Sequence, residues 1–192
     1  MMRRKNLERA IVLGLLLSTS VYGNVWARED TTPIQKPDLN EIIEEGDWKI
    51  TTDKSALAYN GLVDIKKGDL IIIANGAGSN GIEAGYMEDE PAKLQIYAND
   101  INITSGANGL FTVLYKEEYV RDKGGDILLG SNDKKITGLT MNVGGQGIDN
   151  KNGNVYIYGA DDSIFTIHSL NTSGYDLNQA AINNSCNGEV IL

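Results

Sequence analysis

Apolar residues in this chain alternate with polar ones in short bursts instead of recurring at helical spacing. Leu70, Ile72 and Ala74 occupy every second position, as do Leu94, Ile96 and Ala98, and then Val155 and Ile157. Period two is the mark of a strand with one buried face. The bursts open on a small residue and a polar one: Gly46-Asp47-Trp48, Gly68-Asp69-Leu70, Gly125-Asp126-Ile127, Gly153-Asn154-Val155 and Gly188-Glu189-Val190. Ala92-Lys93-Leu94 is a looser copy. With Trp48, Leu70, Leu94, Ile127, Val155 and Val190 taken as equivalent anchors, the unit recurs every 22 to 35 residues.

A second marker runs between the anchors. Asn60-Gly61-Leu62, Asn80-Gly81-Ile82 and Asn108-Gly109-Leu110 are nearly identical, and Gly145-Gln146-Gly147-Ile148 and Ala180-Ala181-Ile182 are worn versions. Asn-Gly supplies a tight bend, after which Leu or Ile returns to the core. A fainter apolar segment follows, as in Ile101-Asn102-Ile103, Ile136-Thr137-Gly138-Leu139 and Ile164-Phe165-Thr166-Ile167. Strand, strand, bend, strand at such a period is the pattern of a solenoid. The expected fold is therefore all-β: a parallel β-helix of about five to six turns over residues 46–192. A β-propeller is the alternative, but its blades run to about 40–45 residues with steadier spacing. Only Leu39 to Glu45 suits a short helical turn.

Unequal spacing carries information of its own. Two consecutive units are swollen at the same corner, by Gly85 to Ala92 and by Tyr115 to Gly124. Insertions in repeat proteins gather on one face, and such faces often bind. Tyr86, Glu88, Asp89, Tyr115 and Tyr119 in these loops are candidate binding residues. So are Tyr97, Tyr156 and Tyr158, whose alternation with apolar neighbours points them outward, where a phenol ring can stack on a sugar.

Residues 1–27 have the grammar of a secretory signal peptide: Arg3, Arg4, Lys5 and Arg9, then the apolar run Ala10 to Leu17, then Val25-Trp26-Ala27 with cleavage after Ala27. The apolar run is shorter than the ~20 residues that span a bilayer. Residues 28–45 hold two of the three prolines and read as a linker or an N-terminal cap. The chain carries a net charge of −9, and removing a basic leader makes the remainder more acidic still. Such a surface disfavours nucleic acid and anionic lipid as partners. Cys186 is the only cysteine, so no internal disulfide can form. Glycine at 22 residues and aromatics at 7% favour a turn-rich β-protein.

Candidate chemistry is sparse. His168 is the sole histidine, and no nucleophile motif accompanies it to make a triad with Asp161 or Asp162. One histidine and one cysteine do not make a zinc site. The acids Glu88-Asp89-Glu90, Glu117-Glu118, Asp126 and Asp161-Asp162 are scattered, with no acid pair and arginine recurring at one position on adjacent turns. Gly145-Gln146-Gly147 is too sparse for a phosphate loop. No catalytic residue, metal site or cofactor is expected, and the chain reads as a non-enzyme.

The signal peptide, the acidic cysteine-poor remainder and the irregular repeats with Asn-Gly-Ile bends resemble the passenger region of Gram-negative autotransporters and related type V secreted adhesins. The resemblance covers roughly residues 46–192. It implies a right-handed parallel β-helix, exported by the Sec machinery and passed through an outer-membrane translocator. Display at the cell surface or release outside the cell would follow, with an adhesive or structural role toward a host or bacterial surface glycan or protein. No translocator barrel follows in this sequence, so the chain is expected to be the front part of a longer protein. The alternatives are a secreted polysaccharide-lyase-like β-helix enzyme and a non-functional truncated remnant.

Overall fold

The computed structural model describes residues 28–84, 86–87, 90–91, 93–112, 125–151, 153–170, 181–185 and 188–192. These residues form strands, bends and turns, and no helix occurs among them. The strands fall into six successive units. The first holds β1 (Arg28–Asp30) and β2 (Ile34–Glu45), and the second β3 (Trp48–Thr52) and β4 (Leu57–Lys66). The third holds β5 (Leu70–Ala74), β6 (Ile82–Ala84), the short β7 (Tyr86–Met87) and β8 (Glu90–Pro91), and β9 (Lys93–Tyr97). The fourth contains β10 (Asp100–Ser105), β11 (Leu110–Thr112) and β12 (Asp126–Leu129). The fifth contains β13 (Ile136–Val143), β14 (Ile148–Lys151) and β15 (Asn154–Ile157), and the sixth β16 (Gly159–Ser169), β17 (Ile182–Ser185) and β18 (Glu189–Ile191).

One sheet runs β1-β3-β5-β10-β13-β16, each pair parallel. A longer sheet runs β17-β14-β11-β6-β4-β9-β12-β15-β18. It is two stacks joined in β4: Leu57 and Ala58 pair with β6, and Gly61 to Asp64 pair with β9. Each complete unit thus contributes one strand to each of three parallel stacks. β7 and β8 make a separate antiparallel pair.

Alternation dictates what each stack buries. Trp48, Leu70, Ile101 and Leu139 lie one above another and are almost fully buried, as are Ile50, Ile72, Ile103 and Met141 two positions on. On the β9 side the columns are Leu94-Ile127-Val155 and Ile96-Leu129-Ile157. Each such side chain contributes about 1.5–3 kcal/mol relative to exposure. Like over like lets one set of apolar shapes fill the whole interior.

The register corrects the anchor series read from sequence. Trp48 and Leu70 align with Ile101 and Leu139, whereas Leu94, Ile127, Val155 and Val190 form a different column that continues through Gly61 to Asn40. Asn60-Gly61 is likewise not the first copy of Asn80-Gly81. That place belongs to Ser55-Ala56, because Leu57 pairs with Ile82. Two corners merged in the sequence because both solve one problem with the same residues. A Cβ on Gly68 would lie 2.2 Å from the Gly46 carbonyl carbon, and one on Gly153 would lie 1.9 Å from the Gly125 oxygen. Backbones packed this closely admit only glycine. Leu39 to Glu45, suited by sequence to a helical turn, lies in β2, where Asn40 to Glu45 pair with Gly61 to Lys66. Partner strands override a weak local preference.

The first unit covers the interior at its own end. The Arg28 guanidinium lies 4.4 Å from the centroid of the Trp48 ring and pairs with Asp30 at 2.6 Å and with Glu44. Trp48 Nε1 donates to Asp30 at 2.7 Å.

Candidate functional site

Three ladders of side-chain oxygens tie unit to unit at the corners, and they decide which polar groups remain free. At the first corner Asp47 accepts the backbone N–H of Asp69 at 3.0 Å, Asp69 accepts that of Asp100 at 3.1 Å, and Asp100 accepts the Thr137 hydroxyl at 2.5 Å. At the second, Ser55 accepts from Asn80, Asn80 from Asn108, and Asn108 from Gln146, at 3.0–3.1 Å. At the third, Asn60 accepts from Lys93, Asp126 from Asn154, and Asn154 from Glu189. Short oxygen-bearing side chains suit this work because they reach the first free N–H of the strand above. The Asp, Asn and Ser side chains that accept these bonds at the corners are therefore structural caps.

The first ladder adds an acidic column that the sequence reading did not single out. Asp47, Asp69 and Asp100 stand at one position on three adjacent units. The Asp69 carboxyl is held above its ordinary range, first by desolvation and then by the charges of Asp100 and Asp47, against the lowering effect of the N–H it accepts. Among the described residues no three His, Cys, Asp or Glu side chains converge to hold a metal ion.

The predicted tyrosines separate on the structure. Ile96, Leu129 and Ile157 are consecutive in one column, so the next positions, Tyr97, Gly130 and Tyr158, share the next row. Tyr97 and Tyr158 thus flank a glycine on the outer face of the β9-β12-β15 stack. Gly130 has a φ of +77°, a conformation that favours glycine at this point of the row. Tyr156 belongs to the neighbouring outward row, aligned with Leu128 and, through it, with Gln95. Its hydroxyl donates to Glu189 at 3.4 Å, and its pKa is raised by desolvation and by the carboxylates of Glu189 and Asp126.

Tyr97 is fixed by residues the sequence did not single out. Lys134 Nζ lies 4.5 Å from the centre of its ring and pairs with Asp64 Oδ2 at 2.8 Å. The Asp64 side chain is only 10% exposed. One lysine therefore spans three units and clamps the phenol by cation–π contact. Asp64 and Lys134 are 70 residues apart, so no local pattern could pair them.

Tyr86 lies in β7, paired with Pro91. Glu88, Asp89, Tyr115, Tyr119 and the cleavage position Ala27 lie outside the described residues, as does Cys186. The strands on either side of the two insertions are neighbours: β6 pairs with β11, and β9 with β12. Both insertions therefore leave the stack at one corner of adjacent units, beside the sheet that carries the tyrosines. His168 is exposed on β16, opposite Asn142. No helix among the described residues is long and apolar enough to cross a membrane.

Comparison with known proteins matches this chain to no family model, no curated protein and no solved structure.

Proposed function

We propose that the chain is an exported, right-handed parallel β-helix displayed at the cell surface or released from it. In this reading it works as an adhesive or structural passenger of the autotransporter type. The row Tyr97-Gly130-Tyr158 carries the reading: two aromatic rings two strand spacings apart, about 9.5 Å, with a glycine between them in the row and Lys134 Nζ over one face of the Tyr97 ring. That spacing lets two rings stack on alternate units of an extended glycan. The corner where the insertions leave the stack lies beside this face and widens the contact surface toward a glycan or protein partner. Export would use the Sec machinery and an outer-membrane translocator.

Immunoblotting of whole cells, outer membrane and medium tests the location, and a band confined to the cytoplasm would sink it. Binding of the purified chain to glycan-coated and cell surfaces tests the role. Tyr97→Ala and Tyr158→Ala should each weaken binding about tenfold, the range of one lost aromatic contact.

A polysaccharide-cleaving enzyme is the second reading, favoured by one observation, the Asp47-Asp69-Asp100 column. Each of these carboxylates already serves as a cap, which weighs against a catalytic task. Release of unsaturated uronate that Asp69→Asn abolishes would establish this reading in place of the first.

A further inference from the structure

One corner of the stack is not the same length in every unit. Four residues join Thr52 to Leu57, Ser105 to Leu110 and Val143 to Ile148, whereas seven join Ala74 to Ile82. The surplus is Gly76, Ala77 and Gly78. Asn75 still donates its N–H to Thr52 O at 2.8 Å, and Ser79 O already accepts the N–H of Ala107, so the ladder resumes on either side of the three. Ala77 and Gly78 are exposed, and a Cβ on Gly78 would meet nothing within 4 Å. Asn75 is exposed, and neither its side-chain amide nor the Gly76 N–H has a hydrogen-bond partner among the described residues.

The other described Asn-Gly pairs are tied down. Gly81 donates its N–H to Asn108 O at 2.9 Å, and Gly109 donates to Gln146 O at 3.0 Å. Asn80 and Asn108 spend their side-chain oxygens on the N–H groups of Asn108 and Gln146. Asn60 accepts from Lys93, and Gly61 lies within β4.

We infer that Asn75-Gly76 is a self-modifying site, where the folded chain turns asparagine into aspartate and isoaspartate without an enzyme. Asparagine is among the chemically labile side chains, and glycine, lacking a Cβ, leaves its nitrogen unhindered. Gly76 N attacks Asn75 Cγ, and the new C–N bond closes a succinimide. The side-chain nitrogen of Asn75 leaves as ammonia with the Gly76 proton. Water then opens the imide at either carbonyl, and each product carries a carboxylate that the parent lacks. Ring closure consumes the glycine N–H. At Gly76 that breaks no bond, whereas at Gly81 or Gly109 it would remove a rung of the backbone ladder. The isoaspartyl link also lengthens the backbone, in a loop that already has slack. This inference is independent of any ligand on the tyrosine face.

The test is peptide mass spectrometry on the chain purified from cells expressing the full sequence and held folded in warm, mildly alkaline buffer. Fragment spectra locate each replacement of NH2 by OH. Asn75 should convert at least about tenfold faster than Asn80 and Asn108, whose glycines must first leave the ladder by local opening. In denaturant, where the ladder is gone, the three rates should converge. Asn75→Gln, whose longer side chain would have to close a larger ring, should show no conversion at that position over the same period and keep the parent Tm. Gly76→Ala is a poor control, because its Cβ would lie 2.1 Å from Asp53 O. Equal rates at the three sites in the folded chain overturn the inference. So does an Asn75 that reacts in denaturant alone, or one that the fold slows below Asn80.

Discussion

The backbone N–H of Asp100 donates to Asp69 Oδ1 at 3.1 Å, while Asp69 passes its own N–H to Asp47. Asp69 is thus a useful acceptor and an unfavourable charge at once. Its folded pKa is raised above 3.8, so the folded state holds its proton over a window where the unfolded chain has lost it. The contribution of Asp69 to stability therefore falls as pH rises from about 3.8 through that window, and is level above it. Asp69→Asn keeps the acceptor and removes the charge. It should stabilise the fold by about 0.5 kcal/mol at neutral pH, the scale of one like-charge contact, and flatten this part of the pH profile. Asp69→Ala loses the cap and should cost about 1 kcal/mol. Equal melting temperatures for the two variants would refute the account.

Much of the fold is legible because the side-chain period of a strand is local. Leu70-Ile72-Ala74 and Leu94-Ile96 announce their buried faces without reference to anything else. The Asn-Gly and Gly-Asp corners are legible for the same reason. The column each strand joins was not, since Gly68-Asp69-Leu70 and Gly125-Asp126-Ile127 look alike yet occupy different corners. Register is a property of the partner strand, and only the pairing of Leu70 with Ile101 reveals it. The site divides the same way. Outward tyrosines follow from alternation, whereas the hold of Lys134 and Asp64 on Tyr97 depends on three units being stacked.

Close stacking makes a sharp contrast between two glycines. A Cβ at Gly68 would meet the Gly46 carbonyl at 2.2 and 2.3 Å and the Asp47 nitrogen at 2.7 Å, all backbone atoms that cannot turn aside. Gly68→Ala must push two strands apart and should cost about 3 kcal/mol. At Gly78 a Cβ would meet nothing within 4 Å. Gly78→Ala should be neutral, or stabilising by up to about 1 kcal/mol through the unfolded chain. Chemical denaturation of both variants decides the matter, and similar midpoints would show that the corners are looser than described.

Asn150 is fully buried and uses both ends of its amide. It accepts the Thr112 hydroxyl at 2.6 Å and donates to Gly153 O and to Asn184, each at 2.7 Å. Asn150→Ala takes the buried side-chain partner from the Thr112 hydroxyl and the Gly153 carbonyl, for a loss of about 2–4 kcal/mol. Asn150→Asp should be worse, because it turns a charge toward the Gly153 carbonyl and the Asn184 oxygen. Thr112→Val should cost less in the Asn150→Ala background than alone, since the hydroxyl has already lost its acceptor. Strict additivity in that thermodynamic cycle would contradict a shared ladder.

Thr51 presents the opposite case. Its Oγ1 is buried and finds no hydrogen-bond partner among the described residues, although its neighbour in register, Ile73, is apolar. A hydroxyl taken out of water with nothing in return opposes folding, and valine has the same branched shape without that burden. Valine also suits a strand at least as well as threonine does. Thr51→Val should therefore stabilise the fold by about 1 kcal/mol, which corresponds to roughly 2–4 °C in Tm for a domain of this size. Thr51→Ser keeps the unpaired hydroxyl and gives up a methyl group, so it should lower Tm. A valine variant that melts below the parent would mean that the hydroxyl does have a partner in solution.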